Sequence, residues 1–461
     1  MSQVDINSRE YAKMTETSVT KLVLWLAIPT VISQLISSIY NTADTYFVST
    51  LGNSATGAVG IVFSIQSLIQ AFGFGMSVGC GSLLSRKLGE RDVEAANRYT
   101  ATGFYLSVFL GILIAVVGLS DTEGIMRLFG ATDTILPYAC DYGRVILAGA
   151  PIMCASFVLN FVLRSEGMPT RAMIGLSCGG IVNVILDPVL IIYCDKGITG
   201  AALATIIGQL VSFLVLLSFF LFGGSGVSIA PKYISRRFYD YYLIFKNGFP
   251  TICRQGMGSL STTLLNIAVK PYGDAAISAI SIANKVYILI RNIIIGVGQG
   301  FQPVAGYNYG AKKLERVKKS FWVATVIGTV FSVAAGIAVA LFPDEVMGFF
   351  RKGDVEVIEI GRRMLLYMSM SIPVLAFSTY VNQLYQSLGF VWEATLLACC
   401  RQGIFFVPLI LILPNVIELN GIQMTQAAAD ILTFLVSIPF LIVFLKRKLY
   451  SDRNNRKVRI K

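Results

Sequence analysis

The segment "IPTVISQ" at residues 28–34 returns as "FPTICRQ" at residues 249–255, 221 positions later. Later in each half, "NFVLRSEG" from Asn160 matches "NQLYQSLG" from Asn382, with an offset of 222. Four glycines also repeat at the first offset: Gly52, Gly75, Gly79 and Gly89 correspond to Gly273, Gly296, Gly300 and Gly310. A register that holds over this distance predicts two halves with the same architecture.

The composition predicts that both halves lie in a membrane. The chain has 461 residues, of which 55% are hydrophobic and 14% charged. Apolar runs of about 20 residues, the length that crosses about 30 Å of hydrocarbon as a helix, recur along it. We therefore predict an all-α polytopic membrane protein with twelve transmembrane helices. The predicted spans lie near 21–47, 57–83, 97–119, 138–163, 171–194, 199–222, 245–269, 275–300, 320–342, 360–386, 391–413 and 423–445.

Six spans in each half give both halves the same topology, so the repeat is parallel, about an axis along the membrane normal. Such a duplication suits alternating access, in which two bundles rock around a central site. The predicted organisation is an N-terminal tail, a first lobe, a linker, a second lobe and a basic tail, at 1–20, 21–222, 223–244, 245–445 and 446–461.

The basic residues predict the orientation. The net charge is +12, and Lys and Arg cluster after the second, sixth and eighth spans and in the C-terminal tail. This is the positive-inside pattern, which places both termini in the cytoplasm and argues against nucleic-acid binding. The polar start lacks the apolar core and cleavage site of a secretory signal, so we expect the first span to remain in the mature protein.

The chemistry-bearing residues exclude several classes of function. The chain has eight cysteines without a Cys-x-x-Cys pair, and it has no histidine. We therefore expect no zinc site, no disulfide framework and no enzymatic activity, since a nucleophile motif is also lacking. The glycine series "GFGMSVGCG" does not resemble a nucleotide-binding loop. Proton chemistry inside the membrane would fall to carboxylates.

Two membrane carboxylates break the symmetry of the repeat. Asp44 aligns with Leu265, and Asp187 falls opposite the apolar end of "RQGIFFVPLI". The fold therefore does not need an acid at either position. A carboxylate at membrane depth costs at least ~2.5 kcal/mol on insertion scales, so a structural role alone is a poor explanation. The asymmetry predicts a functional pair.

Helical spacing places polar neighbours beside this pair. Tyr40 lies four residues before Asp44, and Asn183 lies four residues before Asp187, hence on the same helix faces. Thr205 in the sixth span and Asn160 in the fourth complete the oxygen-rich set. Oxygens of Asp44, Asn183, Asp187 and Thr205 would hold Na⁺, and the same carboxylates would equally hold a proton. The coupling ion stays open, and no other cofactor is expected.

The second half carries membrane charges of its own. Arg254, Lys285 and Arg401 either line a water-filled cleft or reach to an interface. Asp430 is either the counter-ion of Arg401 or a residue near the surface. Further candidates for the cleft are Gln34, Gln255 and Asn382.

The sequence resembles the multidrug and toxic compound extrusion (MATE) transporters, in the branch with the DinF-like and MepA-like bacterial proteins. The resemblance covers nearly the whole chain. It is carried by "KLVLWLAIPTVISQLISSIYNTADTYFVSTLGNSATGAVG", "SRKLGERDVEAANRY", "LRSEGMPTRAM", "NVILDPVLI" and "QPVAGYNYGAKKLERVKK". It implies two pseudo-symmetric six-helix lobes in a V shape. An N-lobe ion-linked cluster of the family matches Tyr40, Asp44, Asn160, Asn183, Asp187 and Thr205.

The resemblance also implies export of small amphipathic organic compounds, often cationic, in exchange for Na⁺ or H⁺. We expect a monomer in the bacterial cell membrane. Another branch of the family has an essential acid on the seventh helix, where this chain has Gln255, so coupling is expected to rest on the N-lobe. The alternative is a flippase for a lipid-linked precursor, which would favour the cationic residues Arg254, Lys285 and Arg401.

Overall fold

The computed structural model describes residues 3–351 and 354–458, and this part of the chain contains helices and no β-strand. The helices are α1 Gln3–Glu16, α2 Val19–Ser49, α3 Asn53–Gly89, α4 Val93–Ser120, α5 Thr122–Leu128, α6 Leu136–Ser165, α7 Pro169–Pro188, α8 Gly197–Leu221, α9 Phe238–Val269, α10 Gly273–Gly310, α11 Leu314–Leu341, α12 Pro343–Phe350, α13 Val355–Leu388, α14 Val391–Cys399 and α15 Phe406–Val458. Two π-helical segments, Val189–Tyr193 and Cys400–Phe405, follow α7 and α14.

The described chain has ten helical segments that are long and apolar enough to cross a membrane. This confirms the polytopic all-α class. Two segments are too long for one crossing, since the 73 residues of Phe238–Gly310 would extend about 110 Å as one helix. A 3₁₀ turn at Lys270–Tyr272 interrupts that segment, and Ile417 and Glu418 leave the helical conformation inside α15. The count of twelve stays a prediction, which these two interruptions support.

Two short helices were absent from the predicted spans, because each is shorter than a membrane crossing. They are α5 and α12, and they occupy matching places in the two halves. Met126 on α5 and Met347 on α12 are fully buried. Their side chains cover Gly143 and Gly361, where a Cβ atom would overlap the methionine methyl group. The repeat therefore extends to packing details outside the spans.

The two lobes meet along two pairs of helices, α3 with α9 and α2 with α10. At Gly79 of α3, a Cβ atom would overlap the backbone of Ile244 in α9. At Gly300 of α10, it would overlap the backbone of Ala27 in α2. Both contacts are related by the 221-residue repeat. Only glycine allows the helix backbones to approach this closely.

A second pair of glycines closes one end of the bundle. Gly89 and Gly310 end α3 and α10, and each faces the backbone of the other helix, at Tyr307 and Arg86 respectively. The residue with a left-handed backbone comes two positions later, at Arg91 (φ 61°) and Lys312 (φ 58°). Gly89 and Gly310 are therefore needed mainly because they let α3 and α10 approach closely, and less for ending the helices.

The segment predicted as an N-terminal tail braces this same end, from Gln3 onward. Met14 of α1 is fully buried, and its carbonyl accepts a hydrogen bond from Asn308 Nδ2 at 3.0 Å. Lys13 Nζ donates to the Gly167 carbonyl at 3.2 Å in the N-lobe. Because α1 is bonded to both lobes, it holds them together here. In the predicted basic tail, α15 continues to Val458 and residues 459–461 lie outside the described residues.

Glu166, directly after α6, anchors the linker between the lobes. Its side chain accepts hydrogen bonds from Ser225 Oγ at 2.6 Å and from the backbone N–H of Gly226 at 2.9 Å. The residue is 2% exposed. Burial raises the pKa of the Glu166 carboxyl from its ordinary value of 4.5 to about 7, although the two hydrogen bonds oppose this shift. The linker therefore rests on a carboxyl group that ionises near neutral pH.

We expect Gly310→Ala to lower the midpoint of thermal unfolding of the purified protein by several degrees. The added methyl group meets the Arg86 backbone, and overpacking of this kind costs about 1–3 kcal/mol. The matched control is Gly60→Ala, because Gly60 lies within α3 with open space around it. Equal midpoints for the two variants would show that the α3–α10 contact does not limit stability.

A pH dependence follows from Glu166. In the folded protein the carboxyl keeps its proton up to about pH 7, so its contribution to stability is present below pH 4.5 and is lost as the pH rises toward 7. The loss amounts to ~3 kcal/mol or less. We expect Glu166→Gln to flatten the decline in unfolding midpoint between pH 5 and 8. Glu345→Gln, on the exposed surface of α12, should leave the profile unchanged.

Candidate functional site

Glycines on α7 and α8 bring the predicted N-lobe residues together. Gly208 of α8 lies against the Gly179 carbonyl and the Asn183 side chain of α7. On α7, Gly180 lies against the Tyr40 ring of α2. Asp44 is carried by α2, Asp187 by α7 and Thr205 by α8, so these contacts decide how near the polar groups lie. Glycine permits the close helix packing that converges them.

The two carboxylates, of which Asp187 is buried and Asp44 partly exposed, are short of hydrogen-bond donors. Asp187 is fully buried and Asn183 is 4% exposed. Asn183 Nδ2 donates to Asp187 Oδ1 at 3.4 Å, which is a weak hydrogen bond. Asp187 Oδ2, Asn183 Oδ1 and Asp44 Oδ1 are buried and have no partner among the described residues. Asp44 lies near enough to Asp187 for the two charges to repel each other.

These orphaned oxygens fit a cation or a proton. A buried acceptor without a donor costs about 1–3 kcal/mol, and two neighbouring carboxylates repel each other besides. A bound Na⁺ or a proton would relieve both costs. No group of three or more His, Cys, Asp and Glu side chains with metal-ligand geometry occurs in the described ranges. Carboxylate, amide and hydroxyl oxygens are ligands that hard cations prefer.

Tyrosines flank the pair on two sides. Tyr40, one turn before Asp44, accepts a hydrogen bond from Ser37 Oγ at 3.4 Å and interacts electrostatically with Asp44. Tyr142 of α6 was absent from the predicted site. It is 2% exposed and lies near the Thr205 side chain and near both Asp44 and Asp187. Its only signal in the sequence is a tyrosine near the start of the fourth span.

Asn160 and Asn382 lie at matching helix junctions. Asn160 Nδ2 donates to the Ala172 carbonyl at 2.8 Å, and Asn382 Nδ2 donates to the Ala394 carbonyl at 2.6 Å. Donors and acceptors are both 222 positions apart. Within the described residues, neither amide is hydrogen-bonded to a carboxylate. The structure thus brings Asn160 to the α6–α7 junction, and its role in the ion site stays a prediction.

The second lobe has an ion pair in its interior. Arg401 Nε lies 2.9 Å from Asp430 Oδ1, and Asp430 is 1% exposed. Asp430 is therefore the counter-ion of Arg401, and its alternative place near the surface is wrong. Tyr287 donates to Asp430 Oδ2 at 2.5 Å, and Gln426 Nε2 donates to Oδ1 at 3.0 Å.

The other charged and polar candidates of the second lobe differ in how near they lie to the Arg401–Asp430 pair. Lys285 is exposed, whereas Arg254 is close enough to Arg401 to interact with it electrostatically. Arg291 also interacts electrostatically with Arg401 and Arg254. The sequence analysis did not single it out, because it lies in the predicted eighth span without any distinguishing pattern. Gln255 of this lobe and Gln34 of the first lobe are both partly exposed.

The fold and the site define a class: a multi-pass membrane transporter built from two repeated lobes, with a carboxylate pair confined to one of them. The MatE family model matches residues 29–189 and 250–412, which together cover more than half of the chain. The protein belongs to the MATE family of transporters. The two matches begin 221 residues apart, which confirms the repeat.

Curated relatives and solved structures agree with this assignment. The multidrug export protein MepA of Staphylococcus saprophyticus is 27% identical over 435 residues, which are 94% of this chain and 95% of that protein. MepA of Staphylococcus haemolyticus is 26% identical and is covered to 96%. An outward-facing multidrug resistance MATE transporter superposes with a TM-score of 0.88 at 25% identity, over 94% of this chain and 97% of that one. The resemblance to MATE proteins is thereby confirmed.

Matched variants distinguish a junction role from a site role for Asn160. We expect Asn160→Ala and Asn382→Ala to lower the free energy of unfolding by similar amounts, about 1 kcal/mol, because each leaves a carbonyl without its donor. Ion-driven export should persist in both variants. Loss of export in Asn160→Ala alone, at equal stability, would instead place Asn160 in the ion site.

Proposed function

We propose that the protein is a secondary active efflux transporter that exports small organic compounds, often cationic, in exchange for H⁺ or Na⁺. The observation that carries the proposal is the pair Asp44 and Asp187, each of which has a buried carboxylate oxygen without a partner. Membership of the MATE family supports the transport class. The MepA relatives, named as multidrug export proteins, support the kind of substrate.

In this proposal Asp44 carries the coupling ion and Asp187 is its partner. When both carboxylates are charged, their repulsion favours uptake of an ion or of a cationic substrate. Loading of one ion removes one of the two negative charges and weakens the attraction for the cationic substrate, which is then released. Asn183, Thr205, Tyr40 and Tyr142 orient the pair. The coupling ion and the cationic substrate therefore compete for the same charged carboxylates. This competition is the thermodynamic basis of exchange.

The lobe contacts support an outward-facing state. The lobes are closed at the end that carries Gly89, Gly310 and α1. The basic segments after α3 and α10 lie at this end, and the positive-inside rule assigns them to the cytoplasm. Both termini would then lie on the cytoplasmic side. For export, the closed contacts at Gly89 and Gly310 must separate so that a compound enters from inside the cell.

A flippase for a lipid-linked precursor is the second candidate. The cationic cluster of Arg254, Arg291 and Arg401 favours it, because guanidinium groups bind phosphate well. The carboxylate pair of the other lobe is left unexplained by this alternative. Organic-cation export accounts for the pair and is preferred.

Efflux of a fluorescent organic cation from proteoliposomes tests the proposal, with Na⁺ and H⁺ gradients imposed separately. We expect Asp44→Asn to abolish gradient-driven efflux, because the variant cannot change its charge, while the unfolding midpoint is kept. The matched control is Asp274→Asn, an exposed acid in the first turn of α10, which should transport normally. Unchanged efflux in Asp44→Asn would refute the proposal, and the gradient that drives the wild type identifies the ion.

A further inference from the structure

The linker between the lobes is fixed in place by hydrogen bonds to the first lobe. The backbone N–H of Ser228 donates to Asn97 Oδ1 at 2.8 Å, and the backbone N–H of Ser235 donates to Thr102 Oγ1 at 2.9 Å. Both acceptors belong to α4. Residues 228–237 are therefore held against the first lobe, directly before α9 begins the second.

Asp240, in the first turn of α9, completes this framework. Its Oδ2 atom accepts a hydrogen bond from Ser235 Oγ at 2.6 Å and lies 3.1 Å from Arg98 Nε of α4. Arg98 thus forms an ion pair with Asp240, although its Nε atom donates no hydrogen bond among the described residues. The Arg98 guanidinium is held at the joint between the two lobes and keeps donors free.

A cavity of about 210 Å³ lies at this joint, and cationic side chains dominate its lining. Its charged residues are Arg98, Lys232, Arg236, Arg237 and one acid, Glu94. Lys232, Arg236 and Arg237 are exposed, and within residues 3–351 and 354–458 none of them forms an ion pair or donates a side-chain hydrogen bond. The cavity therefore offers an anion several unused donors.

Exposed aromatic side chains continue from this cavity along the first turns of α9. Phe238, Tyr239 and Tyr242 are 85%, 63% and 48% exposed. A candidate membrane span begins at Phe238. Aromatic rings beside basic residues are typical of the boundary between lipid headgroups and hydrocarbon, and the positive-inside rule predicts that this boundary faces the cytoplasm. The cavity is therefore expected at the level of the headgroups.

The repeat shows that the fold does not require the basic pair before α9. At the 221-residue offset, Arg236 corresponds to Thr15 and Arg237 to Glu16. In a parallel repeat both places lie on the same side of the membrane. The first lobe thus begins its first span without such a pair, so neither the helix nor its position in the fold explains the two arginines.

We propose that the cavity formed by Arg98, Lys232, Arg236 and Arg237 binds the headgroup of an anionic glycerophospholipid. Guanidinium groups present paired donors that suit phosphate oxygens, and such charge-assisted hydrogen bonds are the strong ones. The acyl chains would lie along the exposed aromatic face of α9. A soluble phosphate compound would leave that face uncovered, which favours a lipid.

A lipid in this cavity would contact both lobes, because Arg98 belongs to α4 and the linker leads directly into α9. The site is separate from Asp44 and Asp187. The inference therefore goes beyond the proposed export function, and it does not depend on which compound is exported.

Native mass spectrometry of the purified full-length protein in detergent tests the lipid site. The probes are dioleoylphosphatidylglycerol and dioleoylphosphatidylcholine, which have the same acyl chains and differ in headgroup charge. Titration with each lipid gives the two dissociation constants. We expect the wild type to bind the anionic lipid about 10-fold more tightly, since basic residues near the membrane surface attract anionic headgroups. Equal affinity for the two lipids would overturn the inference.

We expect the double variant Arg236→Gln/Arg237→Gln to reduce this preference to about 2-fold or less. Its unfolding midpoint without added lipid should be kept, because both side chains are exposed. The matched control is Lys312→Gln/Lys319→Gln, which removes two exposed charges where α10 leads into α11 and should keep the preference of the wild type. An unchanged preference in the arginine variant, or an equal loss in both variants, would contradict a site in this cavity.

A soluble competitor separates a lipid from a free phosphate compound. An excess of glycerol 3-phosphate, which has the phosphate without acyl chains, is added to the complex with dioleoylphosphatidylglycerol. We expect the lipid to stay bound. Its displacement would assign the cavity to a soluble phosphate compound and overturn the lipid assignment.

Discussion

Backbone-to-backbone contact between the lobes is the constraint on which this structure depends. Hydrocarbon offers helices no hydrophobic reason to associate, so the lobes are held by close packing and by a few hydrogen bonds. Gly79 and Gly300 provide that packing near the middle of the interface, and Gly89 and Gly310 provide it at one end. Any larger side chain there would push the helices apart.

The cost of placing charge in the membrane explains the rest of the interior. One lobe holds the carboxylates of Asp44 and Asp187, and the other holds an excess of guanidinium groups around Asp430. Neither cluster is neutral by itself. The repeat shows that the fold forms without these charges, since Leu265 stands where Asp44 does in the other half. In the proposed function, Asp44 and Asp187 are retained because they bind the coupling ion.

Pattern reasoning succeeded where one physical cause dominates. Backbone groups inside hydrocarbon must form their hydrogen bonds within the protein, so apolar runs of the right length become helices. The offset of 221 residues between similar segments revealed the duplication. Pattern reasoning failed where several helices contribute to one contact. Nothing in the sequence distinguishes Tyr142 and Arg291 from the other residues of their spans. The short helices α5 and α12, and the brace formed by α1, were missed because they cross no membrane.

The sequence by itself determined the membrane class, the two matching halves and the location of the unusual acids in one half. These features follow from hydrophobicity, periodicity and the alignment of the two halves, which are properties of the chain. Three-dimensional packing decided which polar groups meet. It paired Arg401 with Asp430, put Tyr142 near Thr205 and the carboxylates, and left the Nε atom of Arg291 without an acceptor. Such choices depend on distances between helices that are far apart in sequence. Those distances are determined by how closely glycine lets the helices approach.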